Sequence, residues 1–169
     1  METNTLPKFD MNDNPTGCCP RFDPEGWEDQ ELHFQDKLFM KVKTKSLFHI
    51  PLNFGSVFPK AFKDMQETDA YDDKDFIILS CDPSMWRGEH YFSAKKDVPG
   101  YEMVKMTGDF VTKVFEGPYK NAPKWEKEME ALVKDRGKQV KKTYFFYTTC
   151  PKCAKVYGKN YLVAVTEIQ

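Results

Sequence analysis

No apolar run in this 169-residue chain approaches the ~20 residues that a membrane-spanning helix needs. The opening residues, METNTLPKFDMNDNPTG, lack the apolar centre of a secretory leader. Neither sign of charge dominates, since 25 Lys and Arg stand against 26 Asp and Glu, for a net charge of −1. That balance removes the strongly basic face on which most nucleic-acid binding depends. A Gly-rich phosphate loop and a His-Glu-x-x-His metalloprotease helix are also missing. Histidine is scarce: there are three, His33, His49 and His90, and no motif places any of them beside a cysteine. These absences set the expectation of a cytoplasmic protein that touches neither nucleic acid nor membrane. Thiols stay reduced in that compartment, so Cys18, Cys19, Cys81, Cys150 and Cys153 read as thiols or ligands rather than a disulfide frame.

Aromatic residues, by contrast, are abundant at 15%, which suits a thick core or an aromatic-lined cavity. The length fits one domain with a self-sufficient core. Residues 1–36 carry Pro7, Pro15, Pro20 and Pro24 without sustained periodicity, and read as an irregular arm. Phe9, Phe22, Trp27 and Phe34 predict that this arm lies on the body, because disordered tails are poor in aromatics.

From Lys37 the pattern sharpens. Leu38, Met40 and Val42 alternate with lysines as in a half-buried strand. Phe54, Val57, Phe58, Ala61, Phe62 and Met65 follow at helical spacing, with Asn53 or Ser56 as the cap and Pro59 near the start. Strands are expected at 76–79 and 90–94, joined by a turn holding Pro83 and Gly88 with Trp86 at its tip. After Val98-Pro99-Gly100 the order returns, with a strand interrupted near Gly108 over 103–115. A helix carrying Trp125, Met129, Leu132 and Val133 comes next, capped by Asn121 and ended by Gly137. Two closing strands, 144–148 and 161–165, are joined through Cys150-Pro-Lys-Cys153 and Gly158. The fold class expected is α+β: strand-helix-strand-strand twice, at about 37–98 and 101–167, with no residue-by-residue likeness between the copies. An antiparallel sheet would carry two helices on one face and leave a ligand cleft between the repeats.

The chain resembles the GyrI-like family of small-molecule-binding domains. The resemblance rests on Tyr91-Phe92-Ser93-Ala94, Val98-Pro99-Gly100, Val114-Phe115-Glu116-Gly117-Pro118-Tyr119, Trp125 and the strand Tyr161 to Ile168. It covers residues 101–167 well and the first half in element order only. It implies an effector-binding fold that takes drug-like or cationic ligands between its repeats, commonly on an acid in an aromatic setting. Similar proteins include hydrolases of strained electrophilic rings, so fold alone does not separate binder from enzyme. The proline-broken arm supplies no helix-turn-helix, and the cysteine pairs depart from the general pattern. The chain is thus expected to be a stand-alone, cysteine-bearing member.

Glu116 is the leading site residue. Desolvated by aromatics, its carboxyl would be raised in pKa and could anchor a cation or serve as an acid or base. The alternative is a rim glutamate paired with Lys113 or Lys120. Tyr119 orients a ligand or lids the core, and Trp86 walls the cleft or anchors a loop. Tyr91, Phe145 and Tyr147 lie on strands that could floor the cleft, while Trp125 reads as core. Cys18, Cys19, Cys150 and Cys153 admit three readings: zinc, a redox pair, or plain structure. Four converging thiolates would suit a tetrahedral zinc, but adjacent side chains are expected to diverge, which leaves one of Cys18 and Cys19 with Cys150 and Cys153, and His33 or His49 to complete the set. The redox reading is weakened by the expected absence of a helix at the C-x-x-C.

The leading functional expectation is cytoplasmic binding of a hydrophobic aromatic or cationic small molecule, held by Glu116, Tyr119, Trp86, Tyr91 and Tyr147. One alternative is hydrolysis of a reactive small molecule, with Glu116 directing water and Tyr119 polarising the substrate. The other is a zinc- or thiol-based sensor. No cofactor is expected beyond zinc.

Overall fold

The computed structural model describes residues 2–8, 10–48 and 50–169. Its elements are β1 (Glu31–Leu47), β2 (Ile50–Pro51), α1 (Phe54–Glu67), β3 (Ile78–Ser84) and β4 (Arg87–Ser93). They continue with β5 (Glu102–Glu116), α2 (Ala122–Asp135), β6 (Val140–Tyr147), α3 (Pro151–Tyr157) and β7 (Tyr161–Ile168). This is an α+β chain whose described strand pairs run antiparallel. It divides into two compact units. One is Phe34–Thr107; the other joins Gly108–Gln169 to the N-terminal residues up to His33.

In the 34–107 unit, β4 lies between β1 and β3, with Tyr91 opposite both Lys41 and Leu79. Alternation along β4 sends Phe92 to one face and Glu89 and Tyr91 to the other. The Phe92 face, with Met40 and Val42, packs on Ala61 and Met65 of α1. The helix forms because its apolar residues recur at three- and four-residue spacing. Pro59 lies inside it and removes one backbone bond. Phe58 and Phe62, with ring centres 5.0 and 5.4 Å from Phe92, tie that part of the helix to the sheet. Asn53 holds the N-cap position without capping by its side chain. Its Oδ1 instead accepts the Lys45 N–H at 2.8 Å, fastening the helix start to β1.

In the other unit β7 lies between β5 and β6. Trp125, Met129 and Val133 of α2 pack on Val111, Phe115, Phe145, Leu162 and Ala164. Phe115 and Trp125 stack 5.1 Å apart. Gly117, at φ +138°, starts the turn into α2; a Cβ there would meet Asn121 Nδ2 at 3.2 Å and Trp125 at 3.5 Å. Only glycine satisfies both the backbone angle and the close approach.

The face of β5 carrying Phe110 and Thr112 is covered by N-terminal residues. Thr112 Oγ1 donates to the Trp27 carbonyl at 2.5 Å, and Thr112 N–H donates to the Gln30 carbonyl at 2.9 Å. Val114 N–H donates to Glu28 Oε2 at 2.7 Å. The Trp27 ring packs 5.3 Å from Phe146, and Phe22 packs 5.6 Å from Tyr161.

Four sequence expectations are corrected. β5 runs unbroken through Gly108, which keeps the chain in the strand at φ +159°, an angle that suits glycine and would bring a Cβ to 3.2 Å from Glu167 Oε1. β1 starts at Glu31, six positions before Lys37. Pro83 and Gly88 belong to β3 and β4 rather than to the turn, which lies at Met85 and Trp86. The segment between β6 and β7 contains a helix, α3.

Candidate functional site

Glu116 closes β5 opposite Tyr161. Its side chain is 47% exposed and pairs with Lys159 at 3.2 Å. These are rim surroundings, and the partner is Lys159 rather than Lys113 or Lys120. The desolvated aromatic setting expected for this carboxylate is not what the geometry gives it. Tyr119 lies in a 3-10 turn, Tyr119–Asn121. Its ring edge meets Phe145 at 5.7 Å, and Tyr147 lies 5.4 Å away. Tyr119 therefore covers the α2 core, while Tyr147 stays partly exposed. Trp86 is exposed at the β3–β4 turn with Phe48 at 5.5 Å.

Tyr91 has a different environment. It is buried, and its hydroxyl donates to Glu89 Oε2 at 2.9 Å. Glu89 is itself only 9% exposed. Lys41 Nζ lies 3.5 Å from Glu89 Oε1, 3.8 Å from Glu102 Oε1 and 5.8 Å from the centre of the Tyr91 ring. Leu79 and Cys81, directly opposite Tyr91 and Glu89 on β3, share this face away from α1. A largely buried carboxylate thus sits among a phenol, an ammonium and apolar neighbours.

On the α1 side of β4, His90 is buried between two hydroxyls. Thr44 Oγ1 lies 2.9 Å from its Nε2 and Ser80 Oγ lies 2.8 Å from its Nδ1. Phe58 presents a ring edge at 4.8 Å. Burial lowers the imidazole pKa to about 4, against the opposing pull of the Glu89 charge. The ring is neutral at pH 7, one nitrogen donating and the other accepting.

The third group is the cysteines. The sulfurs of Cys18, Cys19, Cys150 and Cys153 all lie within 4.8 Å of one another, so a metal ion could be held there. Cys150 is the N-cap of α3, its sulfur accepting the Cys153 N–H at 3.5 Å. Pro151 follows at the first helical position, where its missing N–H costs nothing. The C-x-x-C therefore does open a helix. The Cys153 thiol is lowered to about 7, chiefly by the Thr16 hydroxyl at 3.3 Å. The Cys19 thiol is pushed up by burial. His33 bonds Asp109 at 2.7 Å, and His49 lies outside the described residues. The four sulfurs gather without His33. Vicinal cysteines, expected to diverge, here place their sulfurs 3.7 Å apart.

Residues 9–168 match the family described as Bacterial hydrolase. The chain belongs to that family. No curated protein matches it. Among solved structures, an uncharacterized conserved protein from Listeria innocua is similar at a TM-score of 0.59 and 12% identity, over 84% of this chain and 92% of its own. A hydrolase from Listeria innocua matches at 0.57 and 15%, over 84% and 92%. SAV2435, in a structure bound to tetraphenylphosphonium, matches at 0.52 and 9%, over 84% and 94%. At these identities the likeness concerns the fold, which is shared with a ligand-binding protein. Among the described residues no helix is long and apolar enough to cross a membrane.

Proposed function

We propose that this protein binds a small hydrophobic cation, with Glu89 as its polar anchor and Tyr91 as its aromatic neighbour. The observation that carries the reading is the Glu89 carboxylate, 9% exposed and bonded by the Tyr91 hydroxyl. A carboxylate so placed has lost most of its water, and a cation restores what burial took away. Lys41 supports the choice of charge. Its ammonium occupies the space near both Glu89 and the Tyr91 ring, where a ligand's positive charge gains from ion pairing and the ring quadrupole together. The cation bound by SAV2435 supports the same class of ligand.

Tetraphenylphosphonium is the probe. Titration calorimetry on the wild type should give saturable binding, and at a hundredfold excess over Kd the ligand should stabilise the fold by about 2.7 kcal/mol. Glu89→Gln should weaken binding at least about tenfold, the equivalent of about 1.4 kcal/mol. Glu116→Gln, removing an exposed pair, should change it less than about twofold. Equal affinity in the wild type and Glu89→Gln would refute the anchor.

The family match favours a second reading, hydrolysis of an electrophilic small molecule. Glu89 would take a proton from water as the water oxygen bonds to the electrophilic carbon and the carbon–leaving-group bond breaks, and the protonated carboxyl would pass that proton to the leaving group. Turnover lost in Glu89→Gln with ligand still bound separates this reading from simple binding.

A further inference from the structure

We propose that Cys18, Cys19, Cys150 and Cys153 form a structural zinc site that fastens the N-terminal segment to α3. A tetrahedral zinc with Zn–S bonds of about 2.3 Å separates its sulfurs by about 3.8 Å. The Cys18–Cys19 and Cys18–Cys150 sulfur distances are 3.7 and 4.0 Å. The remaining pairs fall within 4.8 Å. A disulfide would bring two of them to about 2.05 Å. A redox pair would need two cysteines and leave the convergence of the other two without a cause; the zinc site uses all four.

The surroundings suit thiolate ligands. The Cys153 N–H points at Cys150 Sγ and the Cys150 N–H at Cys19 Sγ, each at 3.5 Å. Such donors draw off part of the negative charge that four thiolates bring to one divalent ion. Thr16 adds a hydroxyl at Cys153 Sγ, and Tyr157 from α3 donates to the Cys19 carbonyl at 2.6 Å. Lys152, inside the C-x-x-C, and Lys155 add positive charge in the adjoining sequence. Zinc binding would release the remaining thiol protons to solvent.

The N-terminal side gives the site its reason. From Asp10 to Arg21 no residue is buried, so hydrophobic contact cannot hold this stretch in place. The interactions described for it are short-range hydrogen bonds, the Arg21 guanidinium over the Tyr157 ring, and the links around Thr16, Cys19 and Tyr157. A metal bridging Cys19 to Cys150, 131 positions apart, would supply what the missing core does not. Four thiolates in a tetrahedron also suit iron, so the metal must be identified directly.

The test is metal analysis of the untagged full chain, purified with reductant and reconstituted with zinc. The expected result is about one tightly held zinc per chain, with cobalt(II) in its place giving the intense visible absorption of a tetrahedral thiolate site. Cys153→Ser and Cys18→Ser should lose the metal, while Cys81→Ser, outside the cluster, should retain it. Chelation should free the segment and speed tryptic cleavage after Arg21 in the wild type, a readout that needs no variant. Iron in place of zinc, no metal after reconstitution, or zinc retained by both cluster variants would overturn the proposal.

Discussion

Acidification should unfold this protein partly through His90. The imidazole is buried between Thr44 and Ser80 and has its pKa lowered from 6.5 to about 4. The unfolded chain takes up a proton near pH 6.5, whereas the folded chain resists until about pH 4. Between those values the unfolded state binds more protons, so stability falls as pH falls. It is at its full value above the unfolded pKa. A shift of this size corresponds to about 3 kcal/mol of stability lost between pH 7 and pH 4, at about 1.36 kcal/mol per unit. Carboxylates also titrate in this window, so the comparison must be internal. Urea unfolding of wild type and His90→Gln at pH 7, 6, 5 and 4 isolates the histidine. The variant, though less stable at pH 7, should lose about 3 kcal/mol less on descending to pH 4. Parallel curves, or a folded-state imidazole titrating near its ordinary value by NMR, would refute the assignment.

Two further substitutions probe the frame around these sites. A Cβ on Gly88 would lie 2.6 Å from Thr44 Oγ1 and 3.1 Å from His90 Nε2, so Gly88→Ala should cost about 1–3 kcal/mol in chemical unfolding. Its effect should be less than additive with His90→Gln, because both break one hydrogen-bonded group. Trp27→Ala removes a fully buried ring and its contact with Phe146. It should cost about 3–5 kcal/mol and speed proteolysis within residues 2–30; unchanged cleavage there would show that the hydrogen bonds to Thr112 suffice.

The helices α1 and α2 and most strands were legible because their apolar residues face one side only. Ala61 and Met65 of the first stripe are core with Val57, Phe58 and Phe62 packed against them, and Trp125, Met129 and Val133 of the second are core. Helix α3 was missed although its signals were present. Cys150 can cap, Pro151 suits the first helical position, and Gly158 adopts the left-handed conformation that ends a helix. Seven residues are too few for an apolar period to emerge. The convergence of Cys18 and Cys19 with this motif had no local signal, being a contact across some 130 positions.

The register of Glu89, the anchor we propose, is hidden in the sequence for a related reason. With Gly88 read as a turn residue, the strand begins at His90 and Glu89 falls outside it. In the fold Gly88 is a strand glycine that lets β4 approach Thr44. Extending the strand back by three residues puts Glu89 in phase with Tyr91, on the face opposite Phe92 and His90. The alternation that β1 also shows then sets a carboxylate beside a tyrosine, across from Lys41 and Lys43. Glu116 precedes a recognisable Gly-Pro-Tyr turn. A turn, however, is where a chain meets water, and a carboxylate at its entrance is solvated unless another element covers it; Lys159 is what meets it here. Burial of a charge follows from strand register rather than from nearness to a motif, and register is fixed by the glycines that a one-dimensional reading assigns to turns.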